Sequence, residues 1–301
     1  MISNMDFTYP KQDKLYIYNK NHQRLNYSND LPFYFFGSSS SGNSVYLKQS
    51  KCLIDLGFGY NKYLEISPYF FYDVEYILLT HQHTDHLNVP TMLRLLKMYP
   101  HIKWLINPYM WKVITNPSLT HRFNNDKEHA TELQAEVKNK FRQRFIILEN
   151  QKQLNIKLVS QKNITIKPYF VSHQNVVNTG YTLTTNNGLK VLYASDLDHV
   201  FQSNPAQKQT SLPLNYGPQG QPQPLTENEK FNIMFLEANY DRDILNKVLL
   251  TDPNNAHAKG NQRHISEQET WKYLQYSLHP QGIFIPLHAS KEFGTLCQDL
   301  T

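Results

Sequence analysis

The stretch Thr80–Leu87 reads THQHTDHL and places His81, His83, Asp85 and His86 within six positions. Three imidazoles and a carboxylate at that density make a poor hydrophobic core, because each would need its own polar partner once buried. They can serve metals instead. Imidazole nitrogen and carboxylate oxygen suit zinc, manganese or iron, and one tightly wound loop can aim some of its side chains at one ion and some at a neighbour.

The elements around this loop must hold it. It follows an apolar strand, VEYILLT, and precedes a helix in which Pro90 occupies the first turn and Met92, Leu95, Leu96 and Tyr99 recur at helical spacing. Upstream, KLYIY (Lys14–Tyr18), FYFF (Phe33–Phe36), SVYLKQ and KCLIDLG have the short apolar pattern of strands, and HIKWLIN continues it downstream. Leu133, Val137, Phe141 and Phe145 then recur every four residues through a charged stretch, which predicts an amphipathic helix and a helical insertion over about 108–152. Strands resume with FIIL, NIKLV, NITIKPYFVSH, GYTLTTNNGLKVLYASD with its Asn-Gly hairpin turn, FNIMFLEAN and GIFIPLH. One helix is expected from Asp241, and another behind a capping box of Ser266 and Glu269. The Gln/Pro-rich segment over about 204–225 has few apolar anchors and reads as a loop.

The run GSSSSGNS, Gly37–Ser44, resembles a linker in composition, yet it joins two strand patterns and is expected to be a tight turn within one sheet layer. Gly37 and Gly42 permit backbone conformations closed to other residues. Asn43 and the serine hydroxyls can satisfy turn amides or meet a phosphate at the rim of a site.

With 301 residues, 40% of them hydrophobic, the chain can bury a sizeable core, and residues 1–301 are expected to form a single domain. The formal charge of +5 is dilute compared with a dedicated nucleic-acid-binding tail. Lys138, Lys140, Arg142 and Arg144 could track a phosphate backbone, although a charged helix face is more often simply solvated. Cys52 and Cys297 lie far apart with no CxxC spacing, which argues against a disulfide scaffold and fits a reducing compartment. No apolar run approaches signal-peptide or membrane-span length, so a soluble, cytoplasmic chain without a membrane partner is expected.

HxHxDH after an apolar strand resembles the signature of the metallo-β-lactamase fold superfamily. The later features VSHQ, LYASD and IPLH supply His173, Asp196 and His288 in the order in which that superfamily supplies its remaining ligands. The resemblance implies an α/β fold, a four-layer αββα sandwich carrying the helical insertion. It also implies two divalent metal ions, with Zn2+ expected and Mn2+ the alternative. His81, His83 and His173 would hold one ion and Asp85, His86 and His288 the other, with Asp196 bridging. Paired ions lower the pKa of a shared water and clamp the oxygens of an in-line displacement. Asp85 would also orient the hydroxide.

GSSSSGNS, SDLDHV, FLEANYD, RHIS and LHASKE together resemble the YycJ/WalJ-type, ribonuclease Z-like branch. In that branch a Glu-Ala pair and a His beside a Ser form an auxiliary dyad, matched here by Glu237 and His264. An imidazolium held by a carboxylate could protonate a departing alkoxide. The expected function is therefore a metal-dependent phosphodiesterase acting on nucleic acid, a DNA exonuclease first of all. A cyclic-nucleotide phosphodiesterase is the alternative, and a metal-binding module without turnover ranks last. A homodimer is compatible with all three.

Overall fold

Short runs of β-branched and aromatic residues form the strands of this protein, and Cys52–Ile54, Lys103–Ile106, Asn163–His173, Phe231–Glu237 and Leu278–Leu287 end at or just before Asp55, Asn107, His173, Glu237 and His288. The computed structural model describes residues 12, 15–27, 30–116, 134–173, 176–201 and 212–296. The chain divides into two compact units. The first is built chiefly from Ser28–Lys152 and Lys157–Asn163, the second from Leu15–Tyr27, Gln153–Ile156 and Ile164 onward. Among the described residues no helix is long and apolar enough to cross a membrane.

The first unit carries a six-stranded sheet in sequence order: β1 (Phe33–Ser39), β2 (Gly42–Leu47), β3 (Cys52–Ile54), β4 (Tyr76–Leu78), β5 (Lys103–Ile106) and β6 (Phe145–Ile147). β1 to β3 pair antiparallel, and β3 to β6 pair parallel. The segments CLI, YIL and KWLI are buried through most of their length, the near-continuous apolar type of a parallel sheet. Helices Val89–Met98 and Pro108–Thr115 each begin with proline in the first turn behind an asparagine cap. Asn88 accepts from the Thr91 amide and Asn107 from the Met110 amide. Their apolar faces pack with Phe70, Phe71 and Trp104 into one core, each fully buried side chain contributing roughly 1.5–3 kcal/mol.

The serine run is a turn between strands. β1 continues through Ser39 and β2 starts at Gly42, with Ser38 opposite Asn43, so Ser40 and Ser41 alone link the strands. A Cβ on Gly42 would lie 2.4 Å from a ring carbon of Phe58, so glycine lets β2 pass over that ring.

The expected amphipathic helix forms in part. Leu133 lies outside the described residues. Residues 134–136 are α-helical, Val137–Phe141 continue as a wide π-type turn and Arg142–Arg144 as a tight 3-10 turn, but Phe145 opens β6, where it pairs with Trp104. The four-residue spacing therefore runs from a helical turn into a buried strand. Arg144 leaves the surface series as well. It is 4% exposed and donates to the carbonyls of Leu96, Tyr99 and Ile102 at 2.6, 2.7 and 3.0 Å, around the C-terminal end of helix Val89–Met98, where carbonyls lack helical partners. Lys138, Lys140 and Arg142 are exposed.

The second unit carries β7 (Leu154–Lys157), β8 (Asn163–His173), β9 (Val176–Thr185), β10 (Lys190–Ala194), β13 (Phe231–Glu237) and β14 (Leu278–Leu287) in the order β14-β13-β10-β9-β8-β7. β8, β9 and β10 are antiparallel, and β10, β13 and β14 parallel. Gly188, at φ 82°, turns the hairpin between β9 and β10. Leu192, Met234, Leu236, Leu274 and Phe284 centre the core.

Three expectations change in this unit. Lys14 of KLYIY lies outside the described residues, and the rest forms no strand; Tyr18 bridges to β14, exchanging amide bonds of 2.9 and 2.8 Å with Phe284. In the Gln/Pro-rich segment, residues 202–211 lie outside the described residues. The rest is anchored: β11 (Asn215–Tyr216) pairs with β12 (Pro222–Gln223), Leu212 and Leu225 are buried, and the Tyr273 hydroxyl donates to the Pro213 carbonyl at 2.8 Å. The capping box at helix Glu267–Ser277 is half formed. Ser266 accepts from the Glu269 amide, but the Glu269 carboxylate accepts from the Val200 amide at 3.0 Å instead of closing the box.

Candidate metal centre

In both sheets the polar residues that could do chemistry sit at the carboxyl ends of parallel strands, where open α/β sheets characteristically present ligand-binding groups. Asp55, His81 and Asn107 follow β3, β4 and β5. Glu237 ends β13, while Asp196 and His288 follow β10 and β14. His173 ends β8 in the register of buried Val171, two residues before it.

The first unit gathers His81, His83, Asp85 and His86. The loop closes on itself through amide bonds from His86 and Leu87 to the His83 carbonyl, 2.9 and 2.8 Å. His81 Nδ1 lies 3.0 Å from the Thr80 hydroxyl, and His81 Nε2 lies 2.9 Å from His83 Nδ1. His86 Nδ1 donates to Asp55 Oδ2 at 2.7 Å, which leaves Nε2 as the lone-pair nitrogen, 3.5 Å from Asp85 Oδ2. Asp55 is fully buried and also accepts from the Thr80 amide and hydroxyl. Asn43 Nδ2 lies 3.1 Å from Asp85 Oδ2 and 3.0 Å from His86 Nε2. A Cβ on Gly57 would lie 1.9 Å from the Asp85 carbonyl oxygen, so only glycine lets the loop settle this close to β2 and β3.

The second unit gathers His173, Asp196, Glu237, His264 and His288. Asp196 Oδ1 lies 3.6 Å from His173 Nε2, and Oδ2 lies 3.3 Å from His288 Nε2, so the two carboxylate oxygens face two different imidazoles. His173, Asp196 and His264 each offer a ligand atom within 4.8 Å of the others. His264 Nδ1 is hydrogen-bonded to Glu237 Oε1 and lies 3.9 Å from Asp196 Oδ1. Glu237 is fully buried, its other oxygen accepting from the Leu197 amide at 2.6 Å and its carbonyl from the Thr270 hydroxyl at 2.6 Å. Burial alone would lower the His264 pKa. The Glu237 charge and hydrogen bond, joined by Asp196 and Asp198, overcome that and hold it up at about 9.

These donor sets fit divalent cations. Two ring nitrogens 2.9 Å apart, as in His81 and His83, can share at most one proton between them, whereas one cation would satisfy both lone pairs. Hydrogen-bonding one ring nitrogen to a carboxylate, as Asp55 does for His86, is the usual way proteins orient a ligating histidine.

Three of the residues at strand ends have left-handed backbone: Asp55 at φ 60°, Asp196 at φ 54° and His288 at φ 50°. Each has its carbonyl gripped by a buried polar side chain. The Ser44 hydroxyl donates to Asp55 O at 2.8 Å, Asn178 to Asp196 O at 2.8 Å and Asn239 to His288 O at 2.7 Å. Ser44 belongs to the serine run and Asn239 to FLEANYD, both noted above, whereas Asp55 and Asn178 stand in no motif. Their signal was present: a short polar residue inside or directly after an apolar strand run, as in CLID, VVNT and LEAN.

Residues 52–209 match the family model described as the Beta-lactamase superfamily domain. No curated protein matches the chain. Among solved structures, the metallo-β-lactamase fold protein YhfI from Bacillus subtilis is 14% identical with a TM-score of 0.41, the match covering 70% of this chain and 72% of that one. Human tRNase Z, short form, is 13% identical with a TM-score of 0.46, over 89% of this chain and 97% of that one. A Cronobacter sakazakii metallo-β-lactamase with an HARLDQ motif is 16% identical with a TM-score of 0.41, over 81% and 87%.

Proposed function

The chain belongs to the β-lactamase superfamily, whose chemistry is generally hydrolytic, and from that premise we propose that it is a two-cation phosphodiesterase that cleaves nucleic acid, with DNA degraded from its ends as the leading activity. His81, His83 and His173 would hold one divalent cation and Asp85, His86 and His288 the second, with Asp196 shared. Zinc is the expected metal and manganese the alternative. When bound, the two cations would bring the pKa of a water toward neutrality and neutralise phosphate charge.

The observation that carries the reading is the dyad of Glu237 and His264 beside Asp196. A cleaved phosphodiester must expel an alkoxide, which needs a proton as the P–O bond breaks. With Nδ1 committed to Glu237, His264 has Nε2–H to give. The buried carboxylate fixes that tautomer and stabilises the charged ring, while the leaving oxygen takes the proton. Asp85 would orient the attacking water and accept its proton as the new P–O bond forms. Support for a polyanionic substrate comes from the charge of +5 and from exposed Lys138, Lys140 and Arg142, the last of which stacks 4.5 Å over Trp111.

The test is to incubate cation-loaded protein with end-labelled single- and double-stranded DNA and with a panel of cyclic mononucleotides. Release of nucleotides from DNA is expected, with His264→Ala slower by about 10²–10⁴-fold at unchanged cation content. Turnover of cyclic nucleotides alone would move the substrate to a signalling nucleotide. Full cation content without hydrolysis even of bis-nitrophenyl phosphate would leave a metal-binding module.

A further inference from the structure

The serine-rich turn between β1 and β2 leads into Asn43, a fully buried side chain to which the reaction above gives no role. Its backbone is pinned from both sides: the amide donates to the Asp85 carbonyl at 2.7 Å, and the carbonyl accepts from the Gly57 amide at 3.1 Å. The orientation of its side chain is set by Ser38, whose hydroxyl donates to Asn43 Oδ1 at 2.6 Å. The NH2 group must then face the metal loop. There it has Asp85 Oδ2 at 3.1 Å, His86 Nε2 at 3.0 Å, the Asp85 carbonyl at 3.2 Å and the Ser39 carbonyl at 3.1 Å. His86 Nε2 can accept because Nδ1–H is given to Asp55.

The two side chains reached by this amide, Asp85 and His86, are the pair assigned to the second cation. We propose that Asn43 is the positioning residue of the second cation site, holding Asp85 in ligating geometry through its NH2 group and occupying the His86 Nε2 lone pair until a cation takes it, the amide itself being locked by Ser38. The inference rests on the two-cation reading above. The amide has two hydrogens and four acceptors in reach. Handing His86 Nε2 to a cation therefore leaves no donor orphaned, and Asp85 Oδ2 stays held. The grip on Asp85 survives loading, which a residue that only filled space beside the loop could not offer. The arrangement also explains why the run ends in Gly-Asn. Gly42 brings β2 over Phe58, and the next residue then reaches the loop with a side chain just long enough to donate.

The experiment titrates the full-length, metal-stripped protein with Zn2+ against a chromogenic chelator, and with Co2+ while reading its visible absorption. Wild type is compared with Asn43→Ala and Ser38→Ala. Asn43→Ala keeps both backbone bonds. It is expected to weaken the second equivalent of either metal by about ten- to a hundredfold, the usual effect of losing a partner of a metal ligand. The first equivalent and its cobalt spectrum should stay as in wild type. Ser38→Ala, which removes the lock and leaves the amide, should shift the second equivalent in the same direction by less. Equal weakening of both equivalents, or no change in either, overturns the assignment. If Asn43→Ala does not fold, an unchanged second equivalent in Ser38→Ala does the same. Wild type that takes up a single equivalent would instead refute the two-cation reading, and this inference with it, so the two failures are distinguishable.

Discussion

Replacing Asp55 with asparagine tests how the buried carboxylate prepares His86. Asp55 Oδ1 accepts from the Thr80 amide at 2.9 Å, and Oδ2 accepts from His86 Nδ1 at 2.7 Å. In Asp55→Asn the backbone amide of Thr80 cannot change from donor to acceptor, so the new carbonyl oxygen must take the Oδ1 position. The new NH2 then meets His86 Nδ1, donor against donor. Relieving that opposition, worth about 1–3 kcal/mol for a buried donor left unsatisfied, moves the imidazole proton to Nε2, where Asp85 Oδ2 at 3.5 Å can accept it and the Asn43 NH2 group, 3.0 Å away, turns to its other acceptors. The nitrogen intended for the second cation is then protonated. At about 1.4 kcal/mol per decade this predicts second-cation binding weaker by roughly ten- to a hundredfold. Exchanging charge-assisted for neutral hydrogen bonds should lower stability by no more than about 3 kcal/mol. Nitrogen-15 NMR of the metal-stripped protein reads the tautomer directly: Nδ1 carries the proton in wild type and Nε2 in the variant. An Asp55→Asn protein that keeps the Nδ1–H tautomer and an unweakened second cation would refute the reasoning.

Arg144→Met should destabilise the protein by about 2–4 kcal/mol, seen as a lower urea midpoint, because three carbonyls lose a charged donor in the interior. DNA affinity should not change, and a loss of affinity at unchanged stability would put Arg144 back among the phosphate-tracking residues. In metal-stripped protein the raised pKa of His264 has a defined sign. Its folded value of about 9 stands above the ordinary 6.5, so its contribution to stability is full below pH 6.5 and is lost as pH rises through 9. Urea midpoints measured across that window should fall in wild type and flatten in Glu237→Gln, and a wild-type profile as flat as the variant's would remove the Glu237 ion pair as the cause.

The sequence exposed the chemistry where polar residues interrupt an apolar rhythm. HQHTDH stands out because nothing else in a strand-to-helix connection needs three imidazoles, and His173, Asp196, Glu237 and His288 each terminate a run whose strand character is plain. The residues that orient them were less visible, since Asn43 in a serine turn or Asn178 in VVNT looks like ordinary turn or strand-edge chemistry until the fold shows which carbonyl or ligand it holds. Periodicity misled where two elements abut: Val137, Phe141 and Phe145 keep a four-residue beat although the last belongs to a strand. Long-range partners were out of reach for the same reason. Nothing near Arg144 in sequence announces that its acceptors lie more than forty positions upstream.

Left-handed backbone, found at Asp55, Asp196 and His288, sets folding and chemistry against each other at the last two. A side chain with a Cβ gives up about 1–2 kcal/mol in that conformation, and glycine gives up almost none. The strand must turn sharply there for its last side chain to leave the sheet edge, and the grips of Ser44, Asn178 and Asn239 hold each turn closed. Random mutagenesis selected for heat resistance alone would therefore drift toward glycine at Asp196 and His288 and return robust, inert proteins, while Asp55 would stay because its carboxylate holds the buried Thr80 amide and His86. Selection that also demanded cation uptake would keep Asp196 and His288 as well. Divergence between two such libraries would show, position by position, how much ruggedness the protein forgoes to stay active.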